Sequence, residues 1–510
     1  MSTAEEASRR TRRRPMVRIA TPLAPVTPPE ASEGQPLSPA AMIFRQPQLN
    51  CHIIAILGFG KIVGAEEVKA GLEATLVRHP RFSSVQVTDA SGRQKLRWVR
   101  TKVNLDDHVV YPDLGPAAVA GDPSVGDHFV ENYTSALFRS QLNPSKPLWD
   151  LHILAVRTSE AACVAIFRIH HSLGDGISLI SLFLACTRKI SDPESRPSLP
   201  EPRRRSAFVI PDAKSRMLLI WIWTFLVYAW NTFVDVFIFF ISAAFLKDTK
   251  TPIMGTDGVE YQPKRIVHRT ISLDDLKAIK EAMECTINDV LVGVTSAALS
   301  RYLSRSYGGC LPENLRIRTT LLVNIRSTAG ITELADMMKD SGAKWGNQLG
   351  YILLRFPIMK CENPLNYIRK GKTIADRKKK SLEAIFTYNS AMLIVKFFGI
   401  EAATALCHRI LSNTTLSFSC IVGPTEEIGF CGSPLVYIAP TVYGHPQILM
   451  LACFSVNMQA LTMHFQSYMN KMKVVLAVDE VVIPNPNMLL DDISESLRLI
   501  KAAAIRASRS

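Results

Sequence analysis

The segment His170-His171-Ser172-Leu173-Gly174-Asp175-Gly176 closes an apolar run that starts at Ala162. Histidine is the side chain best matched to moving a proton near neutral pH. An Asp lies four residues after the second histidine, bracketed by two glycines. Glycines let the backbone turn tightly, so Asp175 can fold back beneath the strand end and hold the loop through an ion pair. In an extended strand successive side chains point to opposite faces. Ala165, Phe167, Ile169 and His171 then share one face, and Ile166, Arg168 and His170 the other. The two histidines cannot converge on one small reactant, which argues against a shared metal ion, and the spacing matches no zinc pattern. His171 is therefore the candidate general base and His170 a supporting group that packs or orients.

Outward from this segment the hydrophobic pattern alternates between periods of two and 3.6. Strands are expected at His52–Leu57, Ser84–Thr88, Lys95–Val99, Leu151–Val156 and Ala162–His170, with helices at Glu66–Arg78, Asp127–Gln141 and from Ile177. A charged, Pro-rich connector, Ser191–Arg205, follows. The pattern resumes near Lys264 with helices at Leu273–Met283, Ile287–Ser304, Pro364–Lys380 and Tyr388–Leu411. Strands are expected at Arg316–Asn324, Gly350–Phe356, Leu416–Val422, Val436–Ala439, Ile448–Ser455 and Ala460–Gln466. The last helix, Met488–Ala503, places Leu489, Ile493, Leu497 and Ile500 on one face. This is an α/β chain in two halves, each with its own mixed sheet and helices. The divisions read as a disordered basic arm over 1–35, a first half over 36–190, a connector over 191–263 and a second half over 264–510.

The 510 residues exceed one simple core, and the chain carries a formal net charge of +14. That excess suits an anionic membrane or an anionic small molecule. Nucleic acid is disfavoured, because no Cys/His finger spacing or basic helix interleaved with aromatics is present. The ten cysteines form no Cys-x-x-Cys pair and several lie in apolar runs, the pattern of a reducing compartment. No apolar signal core is found near the N-terminus.

Met217–Leu246 holds a single charge, Asp235, and is rich in aromatics. By length it qualifies as a membrane-spanning helix. Basic residues flank both ends, which argues that both ends stay on the cytosolic side. Asn231, Thr232 and Asp235 sit mid-segment, where a turn would allow a hairpin that dips into the bilayer and returns. The alternative is a helix lying in the interface.

Several motifs together carry a resemblance. Pro36-Leu37-Ser38-Pro39, Pro147-Leu148-Trp149, the double-histidine segment, Asn288-Asp289, Val323-Asn324-Ile325-Arg326, Gly346-Asn347 and Ser417–Pro424 occur in an order similar to that of the wax ester synthase/diacylglycerol acyltransferase family. That family belongs to the chloramphenicol-acetyltransferase-like acyltransferases, and the mid-chain apolar segment resembles its plant members. The resemblance implies a two-domain CoA-dependent acyltransferase fold with the active site between the halves. It implies esterification of a long-chain fatty alcohol or diacylglycerol by acyl-CoA as co-substrate, without metal or bound cofactor. His171 would be the base, and Arg326 a partner for Asp175. Asn288 would either face the oxyanion or cap the helix near Asp289, the commoner job for such an Asn. The implied location is the endoplasmic reticulum membrane with both halves facing the cytosol, the plasma membrane being the second option. Two other readings stay open: an acyltransferase of the same superfamily with another alcohol or amine acceptor, and a membrane-docked lipid-binding homologue without catalysis.

Overall fold

The computed structural model describes residues 34–88, 96–114, 121–200, 215–255, 264–326, 345–444 and 459–509. The basic arm up to residue 33 and the strand expected at Ile448–Ser455 lie outside the described residues.

Sixteen strands and ten helices are described. A small sheet joins β1 (Gln35–Pro36), β3 (Ser84–Thr88) and β4 (Leu96–Arg100) in the order β1-β4-β3. The first large sheet contains β2 (Cys51–Phe59), β5 (Val109–Val110), β6 (Trp149–Leu154), β7 (Cys163–His170) and β8 (Arg188–Lys189), together with β13 (Ile428–Phe430) and β14 (Ser433–Gly444). Its order is β5-β6-β7-β2-β14-β13-β8. The second large sheet runs β11-β10-β12-β15-β16-β9, from β9 (Lys264–Ser272), β10 (Arg318–Asn324), β11 (Leu349–Arg355), β12 (Leu416–Ile421), β15 (Leu461–Tyr468) and β16 (Lys471–Asp479). The helices are α1 (Pro39–Ile43), α2 (Ala65–Ala74), α3 (Pro123–Phe138), α4 (Gly176–Ala185), α5 (Ser215–Ala244), α6 (Leu273–Ala282), α7 (Ile287–Ser306), α8 (Leu365–Lys379), α9 (Glu383–Ser412) and α10 (Pro486–Arg509).

The expectation of one private sheet per half is corrected by β13 and β14. These strands come from the second half, yet β14 pairs antiparallel with β2 along Cys51–Phe59. The physical reason is edge satisfaction: without β14, the long strand β2 would present an unpaired apolar edge. Ile54, Ile56, Val164 and Ile166 of the first sheet share one buried cluster with Ile266, Val475 and Ala477 of the second, so the two sheets pack directly on each other. Leu489, Ile493, Leu497 and Ile500 of α10 are all buried, in the core that the second sheet shares with α6, α7 and α8.

The mid-segment turn is also corrected. α5 is one continuous helix of 30 residues, on the order of 45 Å long at 1.5 Å per residue. Its mid-segment polar groups bond to the rest of the protein, and the chain does not reverse there. Asn231 donates to the Lys380 carbonyl at 3.1 Å, the Thr232 hydroxyl accepts from Leu382 N at 3.0 Å, and Asp235 pairs with Lys378 at 2.8 Å. Asn231, Asp235, Phe239 and Ser242 form the buried stripe, at helical spacing. The first half of the helix, from Leu218 to Trp230, has no buried residue, and Trp223, Phe225 and Trp230 are exposed there. The neighbouring α9 kinks at Gly399 (φ 86°) and exposes Leu393, Phe397 and Phe398.

Candidate active site

β7 ends at His170, and His171–Leu173 form a single 3₁₀ turn before α4 begins at Gly176. This turn delivers the two histidines to different surroundings. Ser172 N lies 3.1 Å from His170 Nδ1, which must accept, so Nε2 carries the proton and donates to Asn50 Oδ1 at 2.8 Å. His170 is enclosed in a polar cluster with Asn50, Ser172 and His52. Burial, and then the neighbouring His52, push its pKa well down. His170 does not line the cavity described below.

His171 lines a cavity between the two large sheets, holding about 1140 Å³ of empty space including its open mouth. β2, β7, α4 and β14 form one wall; β10, β11, β12 and β15 form the other. The lining is largely apolar, with Ile53, Phe167, Ile169, Leu179 and Ile421 among its residues. The imidazole is stacked against Phe44, centroids 4.1 Å apart, and is 2 % exposed. Asn347 of the other half fixes its tautomer. The Asn347 amide donates Nδ2–H to the His171 carbonyl at 2.9 Å, so its Oδ1 must accept from His171 Nδ1–H at 3.2 Å. The Nε2 lone pair is then left for the cavity. Burial lowers the His171 pKa, opposed by the charge of Asp175 and the bond from Asn347.

Asp175 is fully buried and serves three groups. Its Oδ1 accepts from Ser178 N at 2.9 Å, capping α4. Its Oδ2 accepts from Gln348 N at 2.9 Å and meets Arg326 Nη1 at 2.7 Å. The chain around the histidines is thus fastened to the ends of β10 and β11. The glycines act differently from the tight-turn expectation. Gly174 has φ 173°, an extended conformation open to any residue, but a Cβ there would lie 3.3 Å from the Trp345 ring and from Ser178. The requirement is close approach between the halves.

Asn288 is corrected in both of its expected roles. Thr286 caps α7, in a reciprocal capping box with Asp289, because its hydroxyl reaches Asp289 N from one residue before the helix. Asn288 lies exposed in the first turn and is not part of the cavity lining. The buried member of that dipeptide is Asp289, paired with Lys379 at 2.9 Å.

Two site residues escaped the reading of the sequence as chemical groups: Asn347, quoted only as part of a short motif, and His464, on β15. The signal for His464 was available. Leu461, Met463 and Phe465 alternate with Thr462, His464 and Gln466, a strand with one apolar face and one polar face.

The arrangement can take a proton from a hydroxyl inside a largely apolar cavity. Two family models match the chain: the wax ester synthase/diacylglycerol acyltransferase catalytic domain over residues 50–224 and the WS/DGAT C-terminal domain over 345–501. Wax ester synthase/diacylglycerol acyltransferase 6 of Arabidopsis thaliana is 45% identical, covering 94% of this chain and 96% of its own. Wax ester synthase/diacylglycerol acyltransferase 5 of the same plant is 46% identical over 92% and 94%. Among solved structures, the wax ester synthase/diacylglycerol acyltransferase from Marinobacter aquaeolei VT8 matches with a TM-score of 0.56 at 17% identity, over 92% of this chain and 100% of that one. The starter condensation domain of rhizomide synthetase, in complex with C8-CoA and Leu-SNAC, shares the fold with a TM-score of 0.51 at 12% identity, over 94% and 96%. On these matches the chain belongs to the wax ester synthase/diacylglycerol acyltransferase family and is an acyltransferase.

Proposed function

We propose that the protein transfers a long-chain acyl group from acyl-CoA to the hydroxyl of a fatty alcohol, with diacylglycerol as the other acceptor, at a membrane surface. The observation that carries this reading is the His171 tautomer: Nε2 bears its lone pair at the wall of an apolar cavity that both sheets build. In this mechanism Nε2 removes the acceptor's hydroxyl proton as its oxygen attacks the thioester carbonyl carbon. The C–O bond forms and the carbonyl becomes an oxyanion. Its collapse breaks the C–S bond, and the departing thiolate takes the proton from His171 to give free CoA. A thioester is already activated, so neither a metal nor a covalent enzyme intermediate is needed in this scheme. The net charge of +14 favours the phosphates of CoA.

The membrane part of the reading rests on α5 and α9, both long and apolar enough to cross a bilayer. The buried stripe around Asp235 ties α5 to α8 and α9, which favours a helix lying at the interface over one that crosses. An apolar exposed face of this extent marks a binding surface, and we assign it to the endoplasmic reticulum membrane from the cytosolic side. The test is a competition: full-length protein in microsomes receives one labelled acyl-CoA with a fatty alcohol and diacylglycerol together. Wax ester, triacylglycerol or both are expected, and His171→Ala should abolish them. Ester formation that survives in the folded variant overturns the assignment of the base, and no ester from either acceptor overturns the reaction.

A further inference from the structure

His464 is the second histidine of the cavity, and the mechanism above does not use it. It lies on β15 with 5 % exposure, across the space from the strand that leads to His171. Its Nδ1 is 3.3 Å from the Thr441 hydroxyl on β14. Its Nε2 has no hydrogen-bond partner among the described residues and is left to the cavity. Burial holds the ring neutral, pushing its pKa down to about 4, with His171 adding a smaller push in the same direction. A neutral imidazole carries one donor and one acceptor, and the bond on one nitrogen decides the other. When the Thr441 hydroxyl donates to Nδ1, Nε2 carries the proton.

Two of the other polar side chains of the lining are partly engaged by neighbours. The Gln466 amide donates to the Ser467 carbonyl at 2.9 Å, and Asn324 Oδ1 accepts from Arg326 at 3.0 Å. Asn288 is outside the cavity. The reaction places negative charge on the former carbonyl oxygen, and a preorganised donor in a water-poor site is the strongest means of stabilising it.

We infer that His464 donates Nε2–H to the thioester carbonyl oxygen and holds it as the oxyanion forms. The two cavity histidines then work as opposite tautomers: His171 presents a lone pair to the acceptor's proton, and His464 presents a proton to the carbonyl. His464 keeps its proton throughout. The electron pair moves from the carbonyl onto its oxygen and returns when the C–S bond breaks. This inference rests on the acyl-transfer reading, which the wild-type protein tests by itself through ester formation.

The experiment measures kcat and KM of full-length protein in microsomes with palmitoyl-CoA and hexadecanol, alongside melting temperature. Removal of one oxyanion donor costs on the order of 10²–10³ in kcat. His464→Ala should show a loss of that size with KM for acyl-CoA unchanged. His464→Gln, which keeps an N–H donor, should recover part of it. Thr441→Val keeps the side-chain volume but frees the ring tautomer, and should lower kcat about tenfold at unchanged KM. Wild-type kcat in folded His464→Ala, or a loss that resides wholly in KM, overturns the inference. Should His464→Ala fail to fold, Thr441→Val decides: a lowered kcat at constant KM supports the inference, and wild-type kcat overturns it. Absence of ester in the wild type would instead strike the acyl-transfer reading.

Discussion

The guanidinium of Arg326, at the end of β10, meets the carboxylate of Asp175 at 2.7 Å, and both side chains are buried. The pair joins the loop that carries His171 to the opposite sheet. Breaking a buried pair from one side leaves an uncompensated charge, at a cost of about 3–5 kcal/mol. Asp175→Ala and Arg326→Ala should each lower the melting temperature and reduce ester formation at least a hundredfold. The double variant should lose less stability than the two single losses added together. A thermal denaturation cycle checks this, and additive losses would show that the two residues act separately.

Asn347 governs which nitrogen of His171 is free. In the wild type, kcat/KM should rise with pH as His171 loses its proton and reach a plateau, with the midpoint below 6.5 because burial depresses the pKa. Asn347→Asp sets a carboxylate beside Nδ1, which stabilises the imidazolium, so the midpoint should move upward. Asn347→Ala should lower kcat roughly a hundredfold, less than the ~10⁴ seen when a triad histidine is held in the wrong tautomer. A pH–rate series on the three proteins gives the answer. An unmoved midpoint in Asn347→Asp would separate Asn347 from the base.

Trp223 and Leu226 project from α5 where the helix has no buried residue. Trp223→Glu with Leu226→Glu should weaken co-flotation with phosphatidylcholine/phosphatidylserine vesicles. Turnover of a short, soluble alcohol should stay within about twofold, because neither residue lines the cavity. Equal flotation of variant and wild type would remove this half of α5 from the membrane contact.

His79 and His464 are held neutral by burial, with pKa values pushed down to about 3 and about 4. In the unfolded chain each protonates near 6.5. Below that pH the unfolded state binds more protons, so stability falls as pH drops toward the folded values and is constant above about 7. The slope is about 1.4 kcal/mol per pH unit for each histidine across that window. Differential scanning calorimetry between pH 7.5 and 4.5 should show a falling melting temperature, and a flat profile would contradict the burial argument.

Local pattern made much of the fold readable. The strand through Phe167 and Ile169 and the α10 face with Leu489 and Ile493 both follow from periodicity, which depends only on neighbours in sequence. The separation of His170 from His171 is likewise local, since one residue of strand reverses the face. Partner choice was not readable. Val436–Ala439 was legible as a strand, but nothing nearby in sequence says that it pairs with β2. β9 and β16 were not picked out as strands: basic residues interrupt the apolar run of β9, and Val474–Val478 of β16 is an apolar run too short for periodicity to separate strand from buried helix. Lys264 and Lys473 are nevertheless buried against Asp479 and Glu160, pairings that only the folded chain reveals. The roles of Asn347 and Thr441 were hidden for the same reason: each acts on a histidine far away in sequence.

The seat of β14 between β2 and β13 bears on how this chain is born. A ribosome delivers residues in order, and β2, β6 and β7 emerge long before Ser433–Gly444. Until then the nascent first sheet has a bare edge at β2, an adhesive template for other chains. The greasy helix α5 leaves the ribosome during that same interval. Synthesis at a membrane would give α5 a place to settle while the sheet waits for its last strand. Of two separately expressed halves, the first would inherit an unfinished sheet, and the second would carry β13 and β14 with no sheet to join.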